Sequence, residues 1–373
     1  MSDARRLPAL SLALVVALAL LLAPGAQAAP RDGQAPMFAY YYIWYTPSSW
    51  NRAKKDYPLL GRYSSDERVV MRQHIREAKA AGIDGWFVSW KSTMPLNARL
   101  AKLIEVAKQE HFKLAIIYQG LDFERHPLPI DTVTADLNLF QRRFAKESPF
   151  KGVFEKPLVI WSGTWKFSRA DIARVTSPRR NKLLMLSSEK NVAGITRLRG
   201  LTDGNAYYWS SVNPATYRGY PQKLQEMSAA VHADGGLWLA PAAAGFDARL
   251  IGGKTVVDRH NGATLRTEMD AATKSSPDAI GLISWNEFSE NSQVEPSQRY
   301  GNKYLQVLAD LRGAPGPRAA DFDSSAPGTT GSHSGIPLLV GLVALIVGGV
   351  VLTMRRGRVA RPPRRDVSGE GAP

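Results

Sequence analysis

Eight apolar runs of strand length dominate this chain: MFAYYYIWY (37–45), IDGWFVSW (83–90), KLAIIYQG (113–120), PLVIWSG (157–163), KLLMLSS (182–188), NAYYWSS (205–211), GLWLAPA (236–242) and AIGLISWNE (279–287). Segments with helical spacing lie between them. SSDERVVMRQHIREAKAAG (64–82) carries Ser at its start and Gly82 at its stop, and LNARLAKLIEVAKQEH (96–111) follows the same apolar period. Strands separated by covering helices pair in parallel, and eight such units in about 250 residues predict an α/β fold, a closed (β/α)8 TIM barrel. No sequence repeat of fixed period accompanies the alternation.

Both ends of the 373-residue chain stand apart from this pattern. Arg5 and Arg6 precede an apolar stretch, and Ala26-Gln27-Ala28 fits small-x-small cleavage, so residues 1–28 read as a secretory signal peptide. IPLLVGLVALIVGGVVLTM (336–354) is uncharged and long enough for a bilayer core, which predicts one C-terminal transmembrane helix. Six arginines follow within residues 355–373, so this tail is expected in the cytoplasm and the barrel outside the cell membrane. The Gly/Pro/Ser-rich segment 312–335 reads as a flexible stalk, leaving residues 36–311 for the barrel.

Charge and composition narrow the partners. Of the formal net charge of +15, residues 1–28 hold +1 and residues 355–373 hold +4, leaving +10 for the exported part. Those cations are scattered, which fits a solvated surface or an anionic envelope polymer and not a nucleic-acid site. With no cysteine, disulfides and thiolate metal sites are excluded. The six histidines, at 74, 111, 126, 232, 260 and 333, show no ligand spacing, so neither metal nor cofactor is expected. No G-x-S-x-G elbow or zinc motif supports a peptidase.

In a TIM barrel the C-terminal strand ends form the active face. Aromatics stand at six of those ends: Trp44 and Tyr45, Trp90, Tyr118, Trp161, Tyr208 and Trp209, and Trp285. Any one is ordinary core material. As a set with Asn, Gln, Ser and carboxylates they match the needs of a polyhydroxylated ligand, whose apolar faces stack while its hydroxyls take hydrogen bonds. The last run continues as WNEFSENSQVEP (285–296), which places Glu287, Glu290 and Glu295 within nine residues. If the chain curls after Trp285, acids three residues apart come within about 5–6 Å at Cβ, and paired acids suit glycoside hydrolysis. Glu-x-x-Glu also occurs on solvated helix faces, but three Glu and a Gln in one loop after an apolar strand are costly unless they meet a ligand.

AYYYIWY (39–45), YPLLGRYSSDERVVMRQHIREAKAAGIDGWFVSW (57–90), GFDAR (245–249) and WNEFSENSQVEP (285–296) together resemble glycoside hydrolase family 99, the retaining endo-acting α-mannosidases, and more loosely family 71. The resemblance implies a metal-free (β/α)8 barrel whose catalytic residues are Glu287 and Glu290. Glu287 matches the residue that draws the proton from the mannose 2-hydroxyl, so that this oxygen forms a 1,2-anhydro sugar. Glu290 matches the one that protonates the leaving oxygen and then activates water. Glu290 is accordingly expected to hold a proton, its pKa raised by the neighbouring carboxylate. Tyr42, Tyr45, Trp90 and Tyr208 are the candidate sugar platforms, with Trp285, Asn286 and Gln293 as further substrate contacts; Gln293 and Glu295 also suit holding the loop, the role that Pro296 favours for Glu295. Asn286 is equally suited to capping the turn. Phe288, Asn291 and Ser292 depart from the family's Trp-x-Glu-Gly-Thr continuation, which bears on the substrate.

The expectation is a membrane-anchored extracellular glycosidase acting on a glycan with α-mannosidic bonds. An α-1,3-glucanase on the same barrel and a surface glycan-binding protein without turnover are the alternatives. Oligomeric state is not legible in the sequence.

Overall fold

The computed structural model describes residues 33–317. The signal segment 1–28, the helix 336–354 and the tail 355–373 lie outside those residues. Among the described residues no helix is long and apolar enough to cross a membrane.

The expected strands occur in the expected order: β1 (Met37–Tyr42), β2 (Gly85–Trp90), β3 (Lys113–Gln119), β4 (Leu158–Ser162), β5 (Leu184–Leu186), β6 (Gly204–Ala206) and β7 (Leu237–Ala243). A separate antiparallel pair, β8 (Phe246–Asp247) with β9 (Val256–Val257), precedes β10 (Ala279–Ile283). β1 to β7 and β10 form one parallel sheet in the order β5-β4-β3-β2-β1-β10-β7-β6. One parallel bridge, Ser187 with Asn205, joins its two edges. The Ser187 N–H donates to Gly204 O at 3.0 Å and the Ala206 N–H to Ser187 O at 2.8 Å.

One helix follows each barrel strand: α1 (Arg68–Ala80), α2 (Met94–Gln109), α3 (Ile130–Arg143), α4 (Arg169–Thr176), α5 (Val192–Arg197), α6 (Tyr220–His232), α7 (Ala263–Lys274) and α8 (Lys303–Arg312). The turn from α1 into β2 runs through Gly82 at φ 82°, a left-handed conformation that favours glycine.

Side-chain alternation divides the core into two layers. Phe38, Tyr40 and Tyr42 of β1 point inward with Phe87, Ala115, Ile117, Leu158, Ile160 and Ile283, filling the barrel. Met37, Ala39, Tyr41 and Ile43 point outward to the helices. The inner aromatics fit because glycine stands beside them. Phe38 pairs in register with Gly85 on one side and Gly281 on the other. A Cβ on Gly85 would lie 2.3 Å from the Phe38 ring, and one on Gly281 2.9 Å from the Tyr40 ring.

The domain ends later than the composition shift at 312 predicts. Arg312 is buried, and its guanidinium donates to Asp84 at 3.0 Å and to Ala35 O at 2.9 Å. Gly316 still bonds to Ala80 O. A Gly/Pro-rich composition marked the start of the stalk in the sequence, but backbone pairing carries the first residues of that segment along the barrel.

Candidate active site

Beyond Ile283 the chain leaves β10 and folds into a compact loop over the barrel mouth. The Phe288 carbonyl accepts from Asn291 N–H at 3.4 Å, and Glu287 O accepts from Ser292 N–H at 3.2 Å, so residues 287–292 form a turn. Asn291 takes φ 47° in it. Asparagine tolerates the left-handed region nearly as well as glycine does, so the turn survives without a glycine at this position. Ser292 closes the loop base through its hydroxyl, 3.0 Å from that of Ser284.

Glu287 and Glu290 meet on this turn. Glu287 is 6% exposed, its backbone N–H donates to Ser284 Oγ at 2.9 Å, and its Oε1 accepts from the Ser289 N–H at 3.0 Å. Burial first and the neighbouring Glu290 second push the Glu287 carboxyl up to about 8, against the Ser289 hydrogen bonds and the charge of Lys54. Burial also raises Glu290, partly opposed by the positive charge of Arg125. Both carboxyls are thus held toward the protonated form, as expected of Glu290, with Lys54 opposing the rise of Glu287 and Arg125 that of Glu290.

Two tyrosines stand beside the glutamate pair. The hydroxyls of Tyr42, from β1, and Tyr208, after β6, are hydrogen-bonded to each other. Burial, then the mutual interaction and both glutamates, hold the Tyr42 phenol well above its ordinary range, so it remains an O–H donor. Tyr208 feels burial first and Glu290 next, in the same direction. Trp44 lies two residues beyond Tyr42, on the same side of the strand, and its ring is 40% exposed and 4.5 Å from that of Tyr42. It is the accessible aromatic face that the platform list lacked, and strand parity from Phe38 through Tyr40 and Tyr42 points to it.

Five other expected substrate contacts sit elsewhere. Trp90 is fully buried on the helix side, with Phe140 at 5.9 Å and its Nε1 donating to Asn97 at 3.0 Å. Trp285 packs between Trp86 and His74 in the same outer layer. Trp90 has the outward parity of β2, whereas Trp285 breaks that of β10, whose Ala279 and Ile283 point inward, because the chain has left the strand before it. Tyr45 stacks on Trp50 and donates its hydroxyl to Asn286 O at 2.6 Å, so neither face is open. Asn286 is fully buried, accepting from the Tyr42 N–H at 2.9 Å and donating to Tyr42 O at 3.0 Å and to the Tyr63 hydroxyl at 3.3 Å. Its amide thereby replaces a strand neighbour along the end of β1. Gln293 is buried against Asp56 at 3.3 Å. Tyr45, Asn286 and Gln293 brace the loop, and Trp90 and Trp285 pack in the layer between barrel and helices.

Sequence reasoning missed how the loop is clamped. Glu295 accepts from the Tyr63 hydroxyl at 2.9 Å and lies 3.1 Å from His74 Nε2, whose Nδ1 is 3.1 Å from the Tyr41 hydroxyl. Leu59 N–H donates to Pro296 O, Gln298 N–H to Tyr57 O, and Asp247 N–H to Glu290 O. Segments 57–63, 245–249 and 285–296, distant in sequence, therefore form one unit around the two glutamates.

Asp122, Glu124 and His126, on the hairpin after β3, bring one ligand atom each within 4.8 Å of one another. Asp122 already accepts the His126 backbone N–H at 2.7 Å, and the group lies at the surface.

No family model matches this sequence, and no curated protein matches it. Solved structures do match in fold. The GH99 endo-alpha-mannosidase from Bacteroides thetaiotaomicron shares 21% identity over 75% of this chain and 98% of that chain, with a TM-score of 0.66. A second structure of the GH99 endo-alpha-mannosidase from that organism gives 20% identity, 74% and 97% coverage and a TM-score of 0.64. A glycoside hydrolase-like protein shares 15% identity over 78% of this chain and 97% of that chain, with a TM-score of 0.57. At these identities the likeness is one of fold.

Proposed function

We propose that this protein is a glycoside hydrolase that cleaves internal α-mannosidic bonds with retention of configuration, through participation of the substrate's own 2-hydroxyl. The observation that carries the reading is the glutamate pair. Two carboxyls, both raised by burial, stand on one turn at the mouth of a barrel whose fold matches GH99 endo-alpha-mannosidases.

Between its two titrations such a pair shares one proton and so supplies one acid and one base. In the reactive arrangement Glu290 holds the proton and Glu287 is ionised. Glu287 takes the proton of the mannose 2-hydroxyl while O2 attacks the anomeric carbon, and the bond from that carbon to the leaving oxygen breaks as Glu290 protonates it. Glu290 then takes a proton from water, whose oxygen opens the 1,2-anhydro ring at the anomeric carbon, and Glu287 returns its proton to O2. Two inversions give net retention. Tyr42 and Tyr208 offer hydroxyl donors beside the pair, and Trp44 offers a stacking face.

The same reading places the barrel outside the cell membrane, exported by residues 1–28 and held by residues 336–354 with the arginine-rich tail inside. The supporting features are the uncharged 19-residue stretch and the arginines that follow it.

Incubation of the full chain with α-mannans and α-glucans, with product size and anomeric configuration followed by NMR, tests the activity. Glu287→Gln and Glu290→Gln are each expected to lower turnover of α-mannan by about a thousandfold or more while preserving the fold. Full activity in both variants would overturn the assignment, and glycan binding without products would point to a lectin.

A further inference from the structure

Across the mouth from the glutamates, the loops after β4, β5 and β6 hold a cation in an unusual frame. Lys190 follows β5, and its ammonium lies 4.1 Å from the ring centroid of Trp165 and 4.7 Å from that of Trp209. Two aromatic faces hold one ammonium in place. Its sequence neighbour Glu189 does not pair with it: that carboxylate is buried and bound by Arg197 at 3.0 Å. Arg125 and Lys166 lie close enough that, after burial, their like charges lower the affinity of Lys190 for its proton, with the charge of Glu189 acting against them. Arg125 also reaches Glu290 and Tyr208, which makes this positive zone continuous with the glutamate pair. On the hairpin that carries Arg125, Asp122 is engaged by His126.

Clustered cations around a partly buried ammonium are costly unless an anion joins them. Simple packing of a lysine needs neither the second ring nor the two like charges. Given that the mouth binds a glycan, we infer that Lys190, framed by Trp165 and Trp209 and flanked by Lys166 and Arg125, receives an anionic substituent, phosphate or carboxylate, carried by the glycan beside the cleaved bond. The mouth is then divided by charge. Acids of the β10 loop meet the glycosidic oxygen, and cations on the facing side fix the register of the polymer.

The test uses the full chain in detergent and three polymers: a neutral α-mannan, the same mannan bearing phosphodiester groups, and an α-linked glycan containing uronic acid. Binding is measured beside turnover. At low salt the phosphorylated mannan is expected to give a kcat/KM about tenfold above the neutral one, the effect of one charge-assisted contact, and added salt lowers that ratio. Lys190→Gln should bring the ratio close to one, and Lys190→Arg should restore most of it. Preference for the uronate polymer in place of the phosphorylated one identifies the anion as a carboxylate. Equal binding and equal rates on all three polymers, or a ratio that Lys190→Gln leaves unmoved in a folded protein, overturns the inference. Failure to cleave any polymer counts against the hydrolase reading, whereas Lys190-dependent binding of a charged polymer still upholds the anion site.

Discussion

Glu287 and Glu290 are three residues apart, yet their surroundings differ in a way that shapes activity. Burial and the charge of Glu290 push Glu287 up to about 8 against Lys54, whereas the rise of Glu290 is opposed by Arg125. Above about pH 8 the pair loses its shared proton and no acid remains. At low pH both carboxyls are protonated and no base remains. A kcat/KM profile is therefore expected to be bell-shaped with its alkaline limb near pH 8, and a rate that stays flat well above that pH would count against the shared proton. The acids were legible in the sequence because three Glu and a Gln follow an apolar strand. The platforms were less so. A strand end says nothing about which side its last residue faces, and Trp90 and Trp285 turn to the helices. Counting by twos from Gly85 and Phe87 puts Trp90 outside, and the same count from Phe38 puts Trp44 inside. Asn286 was legible only as a choice between ligand and structure. The three hydrogen bonds of its side-chain amide go to Tyr42 and Tyr63, 244 and 223 residues away in sequence, which no local pattern reveals.

At the scale of elements, alternation of strands and helices was sufficient to find all eight barrel strands, because each apolar run must bury both faces and each intervening helix only one. Their lengths were not. β5 and β6 hold three residues each; after Ala206, Tyr207 still bonds to Leu239 O and packs outward, and Tyr208 turns to Tyr42. Glycines that admit the inner aromatics carry a firm expectation. A methyl group on Gly85 would press on the Phe38 ring and, at 2.7 Å, on Lys113 O, and the backbone contact cannot be relieved by turning a side chain. Gly85→Ala is expected to cost about 1–3 kcal/mol, measured as a lower urea midpoint with an unchanged slope. An unaltered midpoint would mean that β2 and β3 are less tightly joined than their register implies.

For the whole molecule, the pH dependence of stability has a source far from the mouth. Glu268 of α7 is buried against Tyr220 of α6, whose hydroxyl it accepts at 3.1 Å, and burial pushes its carboxyl up to about 8. Below the unfolded value of about 4.5 the group is neutral in both states and its contribution is fully present. As pH rises toward 8 the unfolded chain ionises while the folded one stays protonated, and stability falls by up to about 1.4 kcal/mol per pH unit. Glu268→Gln should remove this loss, so the melting temperature of the variant gains on that of the parent between about pH 5 and pH 8. A constant difference across that range would show that Glu268 is ionised in the fold. The ring of strands is also uneven. Its seam between β5 and β6 is short, with three backbone hydrogen bonds across it (Asp203 to Met185, Ser187 to Gly204 and Ala206 to Ser187), while the β1 and β2 pairing runs through five consecutive partners. In hydrogen exchange the Ser187 and Ala206 amides should therefore lose protection before those of β1 and β2. That order of opening would leave the turn that carries Glu287 and Glu290 on the part of the wall that opens last.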